Sequence, residues 1–125
     1  MNVGAGILRK EIKKNAKGKF EKKIPFITEL IKSSINLDYL KKVYLFGSYA
    51  YGKPNKDSDI DIYVIIDNNY DDWKAYLDMK KNLIDNEIYP CDLIVKKEHE
   101  FNEAFEINAY NFEKIIYNHG KVLYG

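Results

Sequence analysis

Five residues of this chain have types and spacings suited to chemistry: Gly47, Ser48, Asp59, Asp61 and Asp92. Asp59 and Asp61 open the run Asp59-Ile-Asp-Ile-Tyr-Val-Ile-Ile66, whose β-branched residues suit a strand. Strand side chains alternate between faces, so the two carboxylates share one face, roughly 7 Å apart. Ile60, Ile62 and Val64 then point the other way, into a core. Carboxylates so placed suit one or two hard cations, and magnesium takes one or two of them together with phosphate oxygens and water. Without a cation the two charges repel. Gly47 and Ser48 follow the apolar run Val43-Tyr-Leu-Phe46, which reads as a buried strand. Glycine lets a ligand approach the backbone, serine offers a hydroxyl, and the N–H groups of such a turn, particularly one opening a short helix, can hold an anion. Asp92 is the charge in the otherwise apolar run Cys91-Asp-Leu-Ile-Val95. If that strand lies beside Asp59 to Ile66, Asp92 reaches the same metal and can accept a proton from an attacking hydroxyl.

Each signal alone has a plainer explanation. An Asp-x-Asp is more often a solvated strand edge, and a Gly-Ser after a strand is usually a turn. Their conjunction points to metal-dependent phosphate chemistry: a strand, Gly-Ser, a ten-residue connection, then Asp-x-Asp entering an apolar strand.

The segment Leu45-Phe-Gly-Ser-Tyr-Ala-Tyr-Gly52, followed by Ser58-Asp-Ile-Asp61 and the later Asp92, resembles the nucleotidyltransferase domain of the DNA polymerase beta superfamily. Within it the short chain is similar to the minimal nucleotidyltransferases of prokaryotes, many of which are antitoxins paired with HEPN-domain toxins. The resemblance runs from about Leu40 to the C-terminus. It implies that Gly47 and Ser48 bind the triphosphate of ATP and that Asp59, Asp61 and Asp92 ligate two Mg2+ ions. Asp92 would also help activate the acceptor. In the antitoxin branch that acceptor is a tyrosine hydroxyl of the partner toxin, which becomes adenylylated. Two alternatives compete: an antitoxin that neutralises its toxin by binding alone, and a transferase acting on a small molecule such as an aminoglycoside. The chain departs from the pattern at Tyr51, where relatives often carry a basic residue before the second glycine. Lys53 or Lys56 would then have to supply that charge.

The 125 residues suffice for one domain, expected over 25–125, preceded by a basic arm or helix over 1–24. Met1 to Pro25 holds eight Lys or Arg against two Glu, a net of +6, which leaves −5 for the remainder of a chain of net charge +1. Such an arm suits an acidic partner or RNA, although a solvated helix is the favoured explanation and direct nucleic-acid binding is not. Hydrophobic residues make up 46%, too many for a disordered chain, and no apolar run reaches the length of a membrane span. With Cys91 the single cysteine there is no internal disulfide, which fits the cytoplasm, and Cys91 reads as a small buried residue. His99 and His119 lack companions at metal spacing and read as surface residues.

Alternating helices and strands predict an α+β (mixed α/β) fold, a small mixed sheet packed with helices. Ile24, Ile27, Leu30, Ile31 and Ile35 have helical spacing, with Pro25 in the first turn and Asn36 at the end. Asp71 or Asp72 should cap a second helix reaching about Asn86, with Trp73, Tyr76, Leu77, Leu83 and Ile84 buried and Met79 elsewhere. Lys96 to Glu100 reads as a polar turn. Phe101 to Tyr117 reads as one helix, or two broken near Asn108, with Tyr110, Phe112, Ile115 and Ile116 in apolar contact. Gly120 should end it before a short strand at Val122 to Tyr124. Tyr49 and Tyr51 flank the site, either to stack on a nucleobase or to anchor the loop.

Overall fold

Strand alternation builds the molecule around one sheet. A computed structural model describes residues 18–107 and 109–125. Four strands, β1 (Leu40–Phe46), β2 (Ile60–Ile66), β3 (Cys91–Lys97) and β4 (Lys121–Tyr124), lie in the order β3-β2-β1-β4. β1 pairs antiparallel with β2 and β4, and β2 pairs parallel with β3. The mixed sheet of the sequence reading is therefore present. Among the described residues five α-helices accompany it: α1 (Ile24–Ser33), α2 (Ser48–Tyr51), α3 (Asp72–Asp85), α4 (Glu98–Glu106) and α5 (Phe112–His119). None of the described helices is long and apolar enough to cross a membrane.

Both faces of the sheet are covered, as its central strand requires. Ile60, Ile62, Val64 and Ile66 of β2, with Val43 and Leu45 of β1, face Ile27, Leu30 and Ile31 of α1 and Ala75, Met79 and Leu83 of α3. The alternate residues Tyr63 and Ile65, with Tyr44 and Phe46, form a smaller cluster with Phe101 of α4 and Ile116 of α5. The first face was legible as a core. The second was not, because aromatic residues separated widely in sequence close it.

α1 starts and ends close to expectation, with a proline in its first turn and Ile27, Leu30 and Ile31 buried. Ahead of it Phe20 is buried in the larger core, so packing begins before residue 24. The rest of the expected basic arm, 1–17, lies outside the described residues. The Asp71 side chain caps α3, accepting from the Lys74 N–H at 3.0 Å. The buried stripe of α3 shares Leu83 with the expected one, and Tyr76 is partly buried against the core, but the rest differs. Ala75, Met79 and Leu83 recur at i, i+4 and i+8 and are fully buried, whereas Trp73, Leu77 and Ile84 are exposed. Two adjacent stripes on this helix are apolar, and the smaller, more pliable side chains take the one against the sheet. The Asn82 amide fixes the choice by donating to the Leu30 carbonyl and to the Ser33 and Ser34 hydroxyls of the α1 end.

Further along, β3 runs on through Lys97 and α4 begins at Glu98, so the expected polar turn at Lys96 to Glu100 does not exist. The Glu100 carboxylate accepts from the Lys97 N–H at 3.3 Å, closing the helix start instead. The C-terminal helical region is two helices, as the sequence allowed. Asn111 caps the second through the Lys114 N–H at 3.0 Å. Ile116 is buried there, while Tyr110, before that cap and expected in apolar contact, is 81% exposed. Gly120 ends α5 and β4 follows. A Cβ at Gly120 would lie 2.4 Å from the Ile116 carbonyl oxygen.

Candidate active site

The end of β1 and the starts of β2 and β3 meet at one rim of the sheet. Phe46 is opposite Asp61 in the β1–β2 register, and Asp61 is level with Asp92 in the β2–β3 register. Three neighbouring strands thus bring Gly47, Asp61 and Asp92 side by side, although they span 45 residues of sequence. Strand alternation puts Asp61 on the face of Tyr63 and Ile65, opposite the larger core.

Gly47 makes the close approach feasible. Its φ of 68° and ψ of −153° lie where only glycine is comfortable. A Cβ there would sit 2.0 Å from Asp61 Oδ2, so the carboxylate rests against the bare glycine backbone. The Gly47 carbonyl accepts from the N–H groups of Ala50 and Tyr51 at 3.0 and 3.1 Å, folding Ser48–Tyr51 into the short helix α2. Ser48, directly after Gly47, is the first residue of that helix.

Burial raises the Asp61 carboxyl to about 7, reinforced by a hydrogen bond and charge repulsion from Asp92 and by the charge of Asp59. Asp61 and Asp92 lie level on adjacent parallel strands. Asp59 stands one residue before β2, exposed, and acts on Asp61 through charge alone. Among the described residues no ion pair reaches any of the three. Nor is any group of three or more His, Cys, Asp or Glu drawn tightly enough to enclose an ion. Uncompensated hard oxygen donors on an open rim fit Mg2+, which takes one or two carboxylates and fills its shell with phosphate oxygens and water.

Tyr49 and Tyr51, which the sequence reading set beside the site, separate in role. Tyr49 is buried, its hydroxyl accepts from the Phe20 N–H at 3.1 Å, and its ring packs on Phe20, so it anchors the loop. Tyr51 is exposed, with its ring edge against His119 at 6.2 Å between centroids. His99 is exposed as well, and its N–H donates to Asn68 Oδ1. Cys91 is buried and its thiol is pushed up to about 12, chiefly by desolvation, which makes it inert.

Sequence reasoning missed the groups around Asp92. A cleft of about 430 Å3 borders it, lined by Phe46, Tyr76, Lys80, Cys91, Leu93, Ile94 and Phe112. The Lys80 ammonium donates to the Cys91 carbonyl, placing a cation in the cleft wall. Nearby, the Tyr63 hydroxyl donates to Glu113 at 3.2 Å, linking α5 to β2, and burial holds that phenol neutral far above its ordinary range. No local pattern announces these contacts, because they join helices to strands remote in sequence.

Comparison with known proteins agrees with this geometry. Residues 27–125 match the family described as polymerase beta, nucleotidyltransferase. The protein adenylyltransferase MntA of Aphanizomenon flos-aquae (strain 2012/KM1/D3) is 34% identical over 118 residues, covering 82% of this chain and 71% of its own length. A chain from a crystal structure of a toxin–antitoxin with AMP-PNP superposes with a TM-score of 0.54 at 27% identity, over 84% of this chain and 73% of that one. A mutant of the toxin–antitoxin pair MntA-HpeT, at 21% identity, shares the fold with a TM-score of 0.53 over 82% of this chain and 73% of that one. Strand order, the glycine-seated carboxylate and these likenesses converge: the chain belongs to the polymerase beta nucleotidyltransferase family.

Proposed function

We propose that this nucleotidyltransferase moves AMP from ATP to a tyrosine hydroxyl of a partner protein, a HEPN-type toxin, and so acts as its antitoxin. The observation that carries the reading is the seat of Asp61, pressed against Gly47 on one side and level with Asp92 on the other. This neighbourhood supports reading Gly47–Ser48 as the phosphate-accepting turn, Asp61 as a metal-binding carboxylate and Asp92 as a proton acceptor. The adenylyltransferase name of the Aphanizomenon relative and the AMP-PNP of the toxin–antitoxin neighbour support AMP as the group moved.

In this reading the Gly47–Ser48 turn holds the triphosphate through backbone N–H groups and the serine hydroxyl. Asp59, Asp61 and Asp92 would hold two Mg2+ ions, which when bound supply charge neutralisation on the phosphates and the departing pyrophosphate. Asp92, exposed at the rim, takes the proton of the acceptor hydroxyl. The domain is taken as 25–125, with the basic arm ahead of it, and the protein as cytoplasmic.

Incubation of the protein and its partner with α-labelled ATP and Mg2+ tests this. Label should move to the partner, and Asp59→Ala and Asp61→Ala should each abolish the transfer. Transfer that persists in both variants removes the assigned site. If the double variant transfers nothing yet still protects cells, neutralisation proceeds by binding alone. Label on a small hydroxylated compound with no protein partner present would instead favour a small-molecule enzyme.

A further inference from the structure

We propose that His119 grips the outer phosphates of the nucleoside triphosphate, from the side of the turn away from the carboxylates. This rests on the reading that the Gly47–Ser48 turn holds the triphosphate. Two independent observations bring the imidazole to that turn.

The first is the strand order. Asp61 lies on the β2 side of Gly47, and β4 runs along the other side of β1. β4 starts with Lys121 opposite Leu45, and a Cβ on Gly120 would lie 3.3 Å from the Leu45 carbonyl oxygen. His119 precedes Lys121 by two residues and Gly47 follows Leu45 by two, so the antiparallel pairing carries both to the same end of the sheet. Strand by strand, that rim presents Asp92, Asp61, Gly47 and the end of α5.

The second is a contact with α2. Tyr51 is the last residue of that helix, and the His119 ring stands edge-on to it, with the ring planes 66° apart. Both rings are exposed, so a ligand can reach them. The stop of α5 does not depend on the imidazole, because the Gly120 N–H donates to the Ile116 carbonyl at 2.8 Å. His99 pairs with Glu103, whereas among the described residues no carboxylate pairs with His119.

The order along the rim decides which phosphates His119 meets. Carboxylates of β2 and β3 lie to one side of the turn, where the α-phosphate reacts. The outer phosphates then cross the turn toward β4. In an in-line displacement the pyrophosphate leaves on the side opposite the attacking oxygen. That oxygen bonds to the α-phosphorus, the bond from phosphorus to the pyrophosphate oxygen breaks, and its electron pair stays on the pyrophosphate. The acceptor proton goes to Asp92, and His119 transfers none. An imidazole has an N–H in either tautomer, and here it donates to an outer phosphate oxygen.

Isothermal titration calorimetry of the whole chain tests this, with Mg–AMP-PNP, Mg–tripolyphosphate and AMP as probes. His119→Phe keeps a ring beside Tyr51 and removes the N–H. It should weaken both triphosphate probes about tenfold and leave AMP unchanged. His119→Gln keeps a donor and should bind as the unaltered chain does. Tyr51→Arg added to His119→Phe should restore affinity, since a guanidinium there reaches phosphate from the same place. Full affinity in His119→Phe overturns the grip and leaves the transferase reading intact, as does an equal loss for AMP. A loss in Lys53→Ala or Lys56→Ala with none in His119→Phe also overturns it, and gives the role to the loop. Mg–tripolyphosphate binding that needs His119, with no binding of Mg–AMP-PNP, upholds the grip and sinks the adenylyl-transfer reading. Binding of neither by the unaltered chain overturns both.

Discussion

The two faces of the sheet are built from the same strands but differ in content. One buries aliphatic side chains of β1, β2 and β3 under α1 and α3 in an extended, uninterrupted core. The other is a short aromatic cluster under α4 and α5, and at the rim of that face Asp61 and Asp92 emerge. The strand period forces this division, since residues at i and i+2 share a face. Ile60 and Ile62 serve the first face, and Asp61 and Tyr63 the second. Stability should therefore reside mostly on the first face and chemistry on the second, so substitutions one residue apart on β2 should fail in different ways.

The largest effect expected is on chemistry. Asp61→Ala should lower nucleotidyl transfer by about 10³-fold or more, equivalent to about 4 kcal/mol of barrier. The variant should remain folded, which circular dichroism and urea unfolding would establish. Residual transfer within tenfold of the unaltered protein would mean the second face is not where the chemistry lies.

Next comes the neighbouring residue on the other face. Ile62 is fully buried among α1 and α3 side chains, so Ile62→Ala loses transfer free energy and leaves a cavity. A loss of about 3–4 kcal/mol is expected in urea unfolding, with transfer per folded molecule little changed. A matching fall in specific activity would show that the two faces are coupled.

Gly47→Ala belongs to both regions. It forces a Cβ into a positive-φ position and against Asp61 Oδ2. It should cost about 2 kcal/mol of stability and impair transfer together, since the carboxylate has to move. Loss of activity with stability unchanged would show that the glycine serves only ligand approach.

The contrast between the faces also explains what the sequence could disclose. Period-2 alternation made β1, β2 and the first core legible, and local signals marked α1, the Asp71 cap and the Gly120 stop. Asp59 and Asp61 were visible through their spacing, and Asp92 as a charge in an apolar strand. The stripe of α3 was misjudged because two adjacent faces of that helix are apolar. Choosing between them depends on Asn82 meeting the end of α1, a contact spanning about 50 residues. The aromatic cluster and the cleft were equally hidden, since Phe46, Tyr76, Lys80 and Phe112 meet only after the sheet has ordered. Local residue patterns were readable, and the long-range contacts around them were not.

The smallest effect separates the two roles of Asp61 itself. Its carboxyl is raised from an ordinary value near 3.8 to about 7 in the folded protein, first by burial and then by Asp92. Between those values the folded state binds more protons than the unfolded state, so stability falls as pH rises and levels off above about 7. Asp61→Asn removes the ionisation. Without metal or nucleotide it should be more stable than the unaltered protein above pH 7, and the difference should shrink toward zero below pH 4. The full shift would correspond to about 4 kcal/mol, but the group is partly exposed and solvent screens it, so about 1–2 kcal/mol is expected. Urea midpoints at pH 4 and pH 8 measure the difference. Mg–ATP should then stabilise only the aspartate form, because a ligand that binds the native state raises its stability. If the asparagine variant is less stable at pH 8, the rim carboxylates support the fold rather than strain it, and the division of labour between the two faces does not hold.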